Sequence, residues 1–236
     1  MNTEKHFKLT EESIVNSMGV KLFRIQATRD SMYATEGELG GWVEKETNLS
    51  GNAWVGDNAQ VFGNAQILNN ALVTGDALVY GNALVSGEAW VYGRARVYGY
   101  ARVYGNAHVF GSAYAFDHVI IQDDAKVFDH AVVSGYSRIL GNAWVNGVAS
   151  LQVMSWISGN ATITSNDDFC SFQNFGSHNR TTTFFREGGG NIKVNCGCFT
   201  GSIDEFEKEV RKTHGDNKHA KEYLAIIEVA IIKFGL

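Results

Sequence analysis

The sequence predicts a mainly β protein: about seven triangular coils of parallel β-helix, a small β cap before them and a small ββαα domain after them. Three observations predict it. The first is a strict period of six between Gly41 and Ile163: of the 21 positions 43, 49, 55 and onward to 163, 20 are Val, Ile or Leu, the exception being Ala115. The second is a companion register two residues earlier, where 16 of 21 positions are Ala. The third is the presence of 26 Gly and no Pro in 236 residues. A period of six does not trace the 3.6-residue stripe of an α-helix. Residues two apart on a strand share a face, so the Ala and the branched residue both point inward. The Gly-Asn pair before each Ala supplies a corner, because both residues tolerate positive φ. Asp57, Asn69, Asp117, Asp123 and Asp129 take the place of Gly at some corners. Each hexad is then one short strand plus one turn, and three hexads close a coil. The stack is about 34 Å tall at roughly 4.8 Å per coil. The lack of Pro agrees, since a Pro in a stacked strand removes a ladder hydrogen bond.

The elements follow in order. Residues 1–38 are the expected N-terminal cap, because the open end of a solenoid exposes strand edges that must be covered. In it, Phe7–Thr10 and Lys21–Ala27 read as strands, joined through the turn at 16–19. Residues 39–165 are the solenoid and 166–236 the C-terminal domain. Residues 166–180 read as a polar loop whose Phe169, Phe172 and Phe175 pack on the last coil. Residues 181–186 and 191–199 read as a hairpin around Gly188, Gly189 and Gly190. Ser202 and Glu205 open a helix as a capping box; it runs through Phe206 and Val210 to His214 and stops at Gly215. Asp216 or Asn217 caps a second helix through Tyr223, Leu224, Ile227, Ile231 and Phe234.

The hexad Val79-Tyr80-Gly81-Asn82-Ala83-Leu84, with its repeats over more than half the chain, resembles the hexapeptide-repeat left-handed β-helix family. The resemblance implies the left hand of the coil and homotrimers packed along their helix axes. It also implies acyltransferases as one function, with a His as general base. The segment from Ser177 to Phe185, the Cys196-Gly197-Cys198 run and the stretch from Thr213 to Tyr223 look like the small C-terminal domain of β-helix proteins from phage and prophage genomes. That likeness implies a phage origin and specifies no activity.

Composition bounds the function. There are 20 Lys+Arg against 25 Asp+Glu, a net charge of −5, which argues against nucleic acid as the main partner. Aromatic residues at 12% and charged residues at 19% exclude general disorder. The most apolar stretch, from Leu224 to Phe234, is too short to span a bilayer and holds Glu228 and Lys233. Three Cys make no disulfide framework, and the first residues lack the apolar stretch of a secretion signal, so a reduced cytoplasmic location is expected.

Residues 18 apart stack on one outer face. Trp90, Tyr92, Phe110, Phe128 and Trp144 then form an outward band and the expected oligomer interface. A second face stacks Phe62, Tyr80, Tyr98 and Phe116, and the third is more polar, with Arg102, Arg138, Tyr104, Gln122 and Ser158. His108, outward on the aromatic band, is the acyl-transfer base if there is one. Its alternative is an ordinary surface His. His118 and His130 sit at different corners and cannot converge with His108 on one metal. Asp117, Asp123, Asp124 and Asp129 are spread over corners, so they read as turn residues rather than a Ca²⁺ site. Cys196, Cys198, His214 and His219 have zinc-ligand types at an unusual spacing, and the alternative is core filling. Arg94, Arg96 and Arg102 interleave with tyrosines but fall on different faces, so stacking on nucleic acid is not expected.

The segment from His178 to Arg186 carries the strongest signal. It joins anion donors to aromatics, as a site for a nucleotide-like ligand requires. The expected ligand-binding residues are His178, Asn179, Arg180, Thr181, Thr183 and Arg186, with Asn217 at the second helix start; the alternative is a polar edge strand with a capping loop. The reading is a non-catalytic, trimeric binding protein that needs no cofactor and sequesters a small anionic host ligand. An acyltransferase and a host-protein-binding module are the competing readings.

Overall fold

The structure, a computed structural model, describes residues 5–152 and 154–236. The N-terminal unit expected over 1–38 therefore begins with four residues that lie outside the described ones. Strands β1 (Phe7–Val15) and β2 (Lys21–Ala27) pair antiparallel, and β2 pairs antiparallel with β3 (Leu39–Val43). β3 then pairs parallel with Gln60–Val61, so the cap prolongs one face of the solenoid.

Two-residue strands recur every six residues from β4 (Trp54–Val55) to β22 (Thr162–Ile163). Up to the last coil, each bonds to the strand one coil ahead: Trp90 pairs with His108 and Val91 with Val109. Three parallel sheets result, enclosing a β-solenoid of about seven coils. The core is the two inward registers, with residues from Ala53 and Val55 to Ala161 and Ile163 buried. Corners sit at positive φ, from +51° at Asp57 to +75° at Gly87. The Asp residues found there are turn residues that also tie successive coils together. Asp57, Asp117, Asp123 and Asp129 each accept from the backbone N–H one coil ahead, at 2.9–3.2 Å.

On the outer faces rings stack one per coil. Tyr92, Phe110 and Phe128 lie 4.7 Å apart in a column, with Trp144 edge-on at its end. Phe62, Tyr80, Tyr98 and Phe116 form a second column at 4.8–5.0 Å. Because each ring covers the next, most of the predicted band is half-buried, and only Trp90 and Trp144 stand well exposed, at 39% and 44%.

The C-terminal domain carries two strands more than the hairpin read from the sequence. Residues 169–175, expected as loop, are strand β23 (Phe169–Phe175), which follows one 3-10 turn. β24 (Arg180–Arg186) lies between β23 and β25 (Ile192–Cys196), and β26 (Phe199–Ser202) completes an antiparallel sheet. The expected strand over 191–199 is broken because Gly197 adopts φ +62° and turns the chain. Helix α1 (Ile203–His214) starts at the Ser202–Glu205 capping box, and α2 (Lys218–Phe234) starts at Asn217. Phe184 joins the domain core beneath the helices, whereas Phe185 joins the solenoid core. The central strand is thus buried on both sides. Thr183 Oγ1 accepts from the Trp156 N–H (3.1 Å), and Asn195 Nδ2 donates to Trp156 O (2.9 Å), fixing the domain on the last coils.

Candidate functional site

That docking leaves a cleft of about 750 Å³ between the third solenoid face and the β23–β24 turn, within the size range of small-molecule sites. Its floor is the outward row Arg102, Ile120, Arg138 and Trp156, one residue per coil. One wall is a corner column in which His118 lies between Tyr100 (4.9 Å) and Tyr136 (4.8 Å), rings parallel within 6°. The roof is the turn, with Asn174, His178, Asn179, Arg180 and Thr181.

Local structure explains why these groups stay in place. Gly176 opens the turn at φ +71°, and its N–H donates to Glu222 Oε2 of α2 (3.1 Å). The buried Tyr223 ring sits directly beneath it; burial, first, and the neighbouring Cys196 push its hydroxyl up to about 12. Arg180 lies across Gly197, where a Cβ would overlap the guanidinium. Ser177 Oγ and His178 Nδ1 share a hydrogen bond of 2.9 Å, and Thr181 Oγ1 donates to Met154 Sδ at 3.0 Å.

The charge of the cleft is one-sided. Arg102, Arg138 and Arg180 line it with two His, and no Asp or Glu is among the lining residues, in a chain of net charge −5. Among the described residues no carboxylate pairs with any of the three arginines. The Arg138 guanidinium instead lies 5.8 Å from the Trp156 ring. The Trp156 indole N–H is enclosed and meets no acceptor among the described residues, a cost of about 1–3 kcal/mol unless something accepts from it. Unpaired guanidinium groups beside aromatic faces suit an anion that carries a flat ring.

A family model described as a YdcK beta solenoid repeat matches residues 77–93. The match spans about one coil and bears on the solenoid fold. Among curated proteins, none matches the chain.

The structure brings four of the expected ligand-binding residues, His178, Asn179, Arg180 and Thr181, to the cleft. It places the other three elsewhere. Thr183 is buried and spends its hydroxyl on Trp156 N and Ser171. Arg186, at the far end of β24 and roughly 20 Å along the strand, pairs with Asp168 (3.3 Å) and covers the Phe234 ring. Asn217 accepts from His219 N and Ala220 N as a helix cap.

The four zinc-type residues do not converge either. Cys196 is buried and accepts from the Thr182 hydroxyl, while Cys198 is exposed beyond the Gly197 turn, so the two do not share a face. His214 and His219 stack edge-on at 6.0 Å. Among the described residues no cluster of three or more His, Cys, Asp or Glu is set to hold a metal.

His108 lies outside the cleft, 5.3 Å from Trp90 and 6.1 Å from Tyr92. Burial and then the Lys126 charge hold its imidazole below the ordinary His value. Arg96 packs over Tyr114 on another face from Arg102.

Sequence reasoning missed the floor and wall as a site. The signal was present in the 18-residue columns Tyr100, His118, Tyr136 and Arg102, Ile120, Arg138, Trp156. What was missing was the face on which the C-terminal domain docks.

Proposed function

We propose that the protein is a non-catalytic binding protein that holds a small, anionic, nucleotide-like ligand in this cleft. The observation that carries the reading is the lining: three arginines without carboxylate partners, beside stacked rings, in an acidic protein. Ring stacking and charge-assisted hydrogen bonds together recognise a phosphorylated ring compound. A hexapeptide-repeat β-helix protein of phage type, acting in the host cytoplasm, would serve by withholding such a ligand from host defence. A homotrimer through the band of Trp90, Tyr92, Phe110, Phe128 and Trp144 belongs to the same proposal.

Native mass spectrometry of gently purified protein tests it. The expected spectrum is a trimer with a few hundred extra daltons per site, and Arg180→Ala should lose that mass. A bare oligomer that also binds no nucleotide in titration would sink the proposal.

The acyltransferase reading has one observation in its favour: burial, and then the Lys126 charge, hold the His108 imidazole below its ordinary value, as suits a general base. Against it, the His108 ring has no orienting carboxylate within hydrogen-bond reach among the described residues. Acetyl-CoA turnover that disappears in His108→Ala would favour it.

A further inference from the structure

We infer that the cleft is built for a ligand with two separated anionic groups, a dinucleotide rather than a mononucleotide. This deepens the proposed ligand reading and rests on it. The inference comes from the order of residues on the floor. Arg102 pairs in register with Ile120, and Ile120 with Arg138, so the two arginines are two strands apart on one sheet. Two strand spacings separate their Cα atoms by about 10 Å. The residue between them is apolar, and the residue beyond Arg138 is Trp156. Along the sheet the floor therefore reads cation, apolar, cation, aromatic. A single phosphate bound squarely by one guanidinium leaves the other free to take a second anion across Ile120. Two phosphates joined by a nucleoside place one anion on each, the sugar over Ile120 and a base against Trp156.

The corner column offers a second ring surface along the same length, since Tyr100, His118 and Tyr136 climb in step with Arg102, Ile120 and Arg138. Arg180 approaches from the roof and is not part of this spacing; it sets total charge rather than phosphate separation. The cleft volume, about 750 Å³, suits one dinucleotide.

Isothermal titration of the full chain with three probes tests the inference: adenosine monophosphate, adenosine triphosphate and the linear dinucleotide pApA. The expected order has pApA at least tenfold tighter than the monophosphate, with the triphosphate, whose phosphates are contiguous, well short of it. Arg102→Ala and Arg138→Ala each weaken pApA tenfold or more, because each removes one charge-assisted contact. The monophosphate loses affinity in only one of the two variants. Both arginines are exposed, so both variants should fold, which circular dichroism checks. Arg94→Ala, at another corner, serves as the control. If the monophosphate binds as tightly as pApA, or pApA ignores one of the two arginines, the two-anion inference is overturned while the ligand reading stands. A ten-nucleotide oligoadenylate binding more tightly than pApA also overturns it. If no probe binds, the ligand reading falls and this inference with it.

Discussion

Gly176→Ala tests how the roof of the cleft is held. Gly176 sits at φ +71°, at the start of the turn that carries His178, Asn179 and Arg180. A Cβ built there overlaps the Oη, Cζ and Cε2 atoms of Tyr223. That ring cannot step aside: it is 5% exposed, edge-on to Phe206 at 5.5 Å and stacked on His214 at 5.7 Å. Two costs add. An L-residue in the left-handed region costs about 1–2 kcal/mol. Overpacking against a fixed core ring costs about 1–3 kcal/mol more. The sum is about 2–5 kcal/mol, before any loss from the Gly176 N–H bond to Glu222. Gly235 supplies a matched control in the same domain: its φ is also +71°, and nothing lies within 4 Å of a Cβ there. Gly235→Ala should therefore lose only the backbone part, about 1–2 kcal/mol. Urea unfolding of both variants, read by limited proteolysis of the C-terminal domain, separates the two costs. Equal losses in the two variants would refute the claim that Tyr223 props the turn from below.

Four further outcomes are expected. Arg186→Ala should cost about 1–2 kcal/mol through the lost contact with Asp168 and the Phe234 carbonyl, yet leave ligand affinity within threefold; a larger affinity loss would return Arg186 to the site. Burial alone would raise the Asp168 carboxyl, but hydrogen bonds from Thr164 and Ser165 and the Arg186 charge outweigh it and hold it low, so its stabilising contribution is present above about pH 4 and is lost as pH falls through its depressed value. His6 is the opposite ionic case: burial first, then Arg29, hold the enclosed imidazole below its ordinary value despite its 2.8 Å bond to Ala53 O. Its contribution is therefore whole above about pH 6.5 and declines below it, so N-terminal cap amides should lose hydrogen-exchange protection between pH 7 and 5, and His6→Gln should flatten that dependence. Trp90→Glu with Trp144→Glu should turn the proposed trimer into monomers in sedimentation without unfolding the solenoid, and a trimer left unchanged would move the interface to another face.

The solenoid was legible because its rules are local. An inward Ala, an inward Val and a positive-φ corner every six residues determine each coil from its own hexad, and stacking only repeats the result. The one break in the aliphatic register, Ala115, shows the same logic. Val119 stands where Ala is usual four residues later, and Ile121 stands where Val is commonest, so that coil regains the volume that Ala115 gives up. Helix starts were legible for the same reason: Ser202 with Glu205 and Asn217 are caps within one turn of the residues they serve.

The cleft was half legible, and the missing half is a matter of docking. The run Arg180 to Arg186 has the alternation of a strand with one wet face and one packed face. In the fold both faces are packed, because Phe185 enters the solenoid core while Phe184 enters the domain core. Only the strand's first two residues emerge at the cleft, which is why Arg180 and Thr181 belong there and Thr183 and Arg186 do not. The choice of solenoid face is made by buried polar groups, Thr183 and Asn195, hydrogen-bonding the main chain at Trp156. Such groups must find partners when buried, but nothing in their own sequence neighbourhood says which coil supplies them. Had the domain docked one face further round, Arg180 would overlook the aromatic column of Tyr92, Phe110 and Phe128 instead of two unpaired arginines. The ligand reading therefore depends on hydrogen bonds that hold the domain to the main chain beneath the cleft floor. Replacing Thr183 by Val and Asn195 by Leu should loosen the roof over Arg102 and Arg138 before it disturbs a single coil.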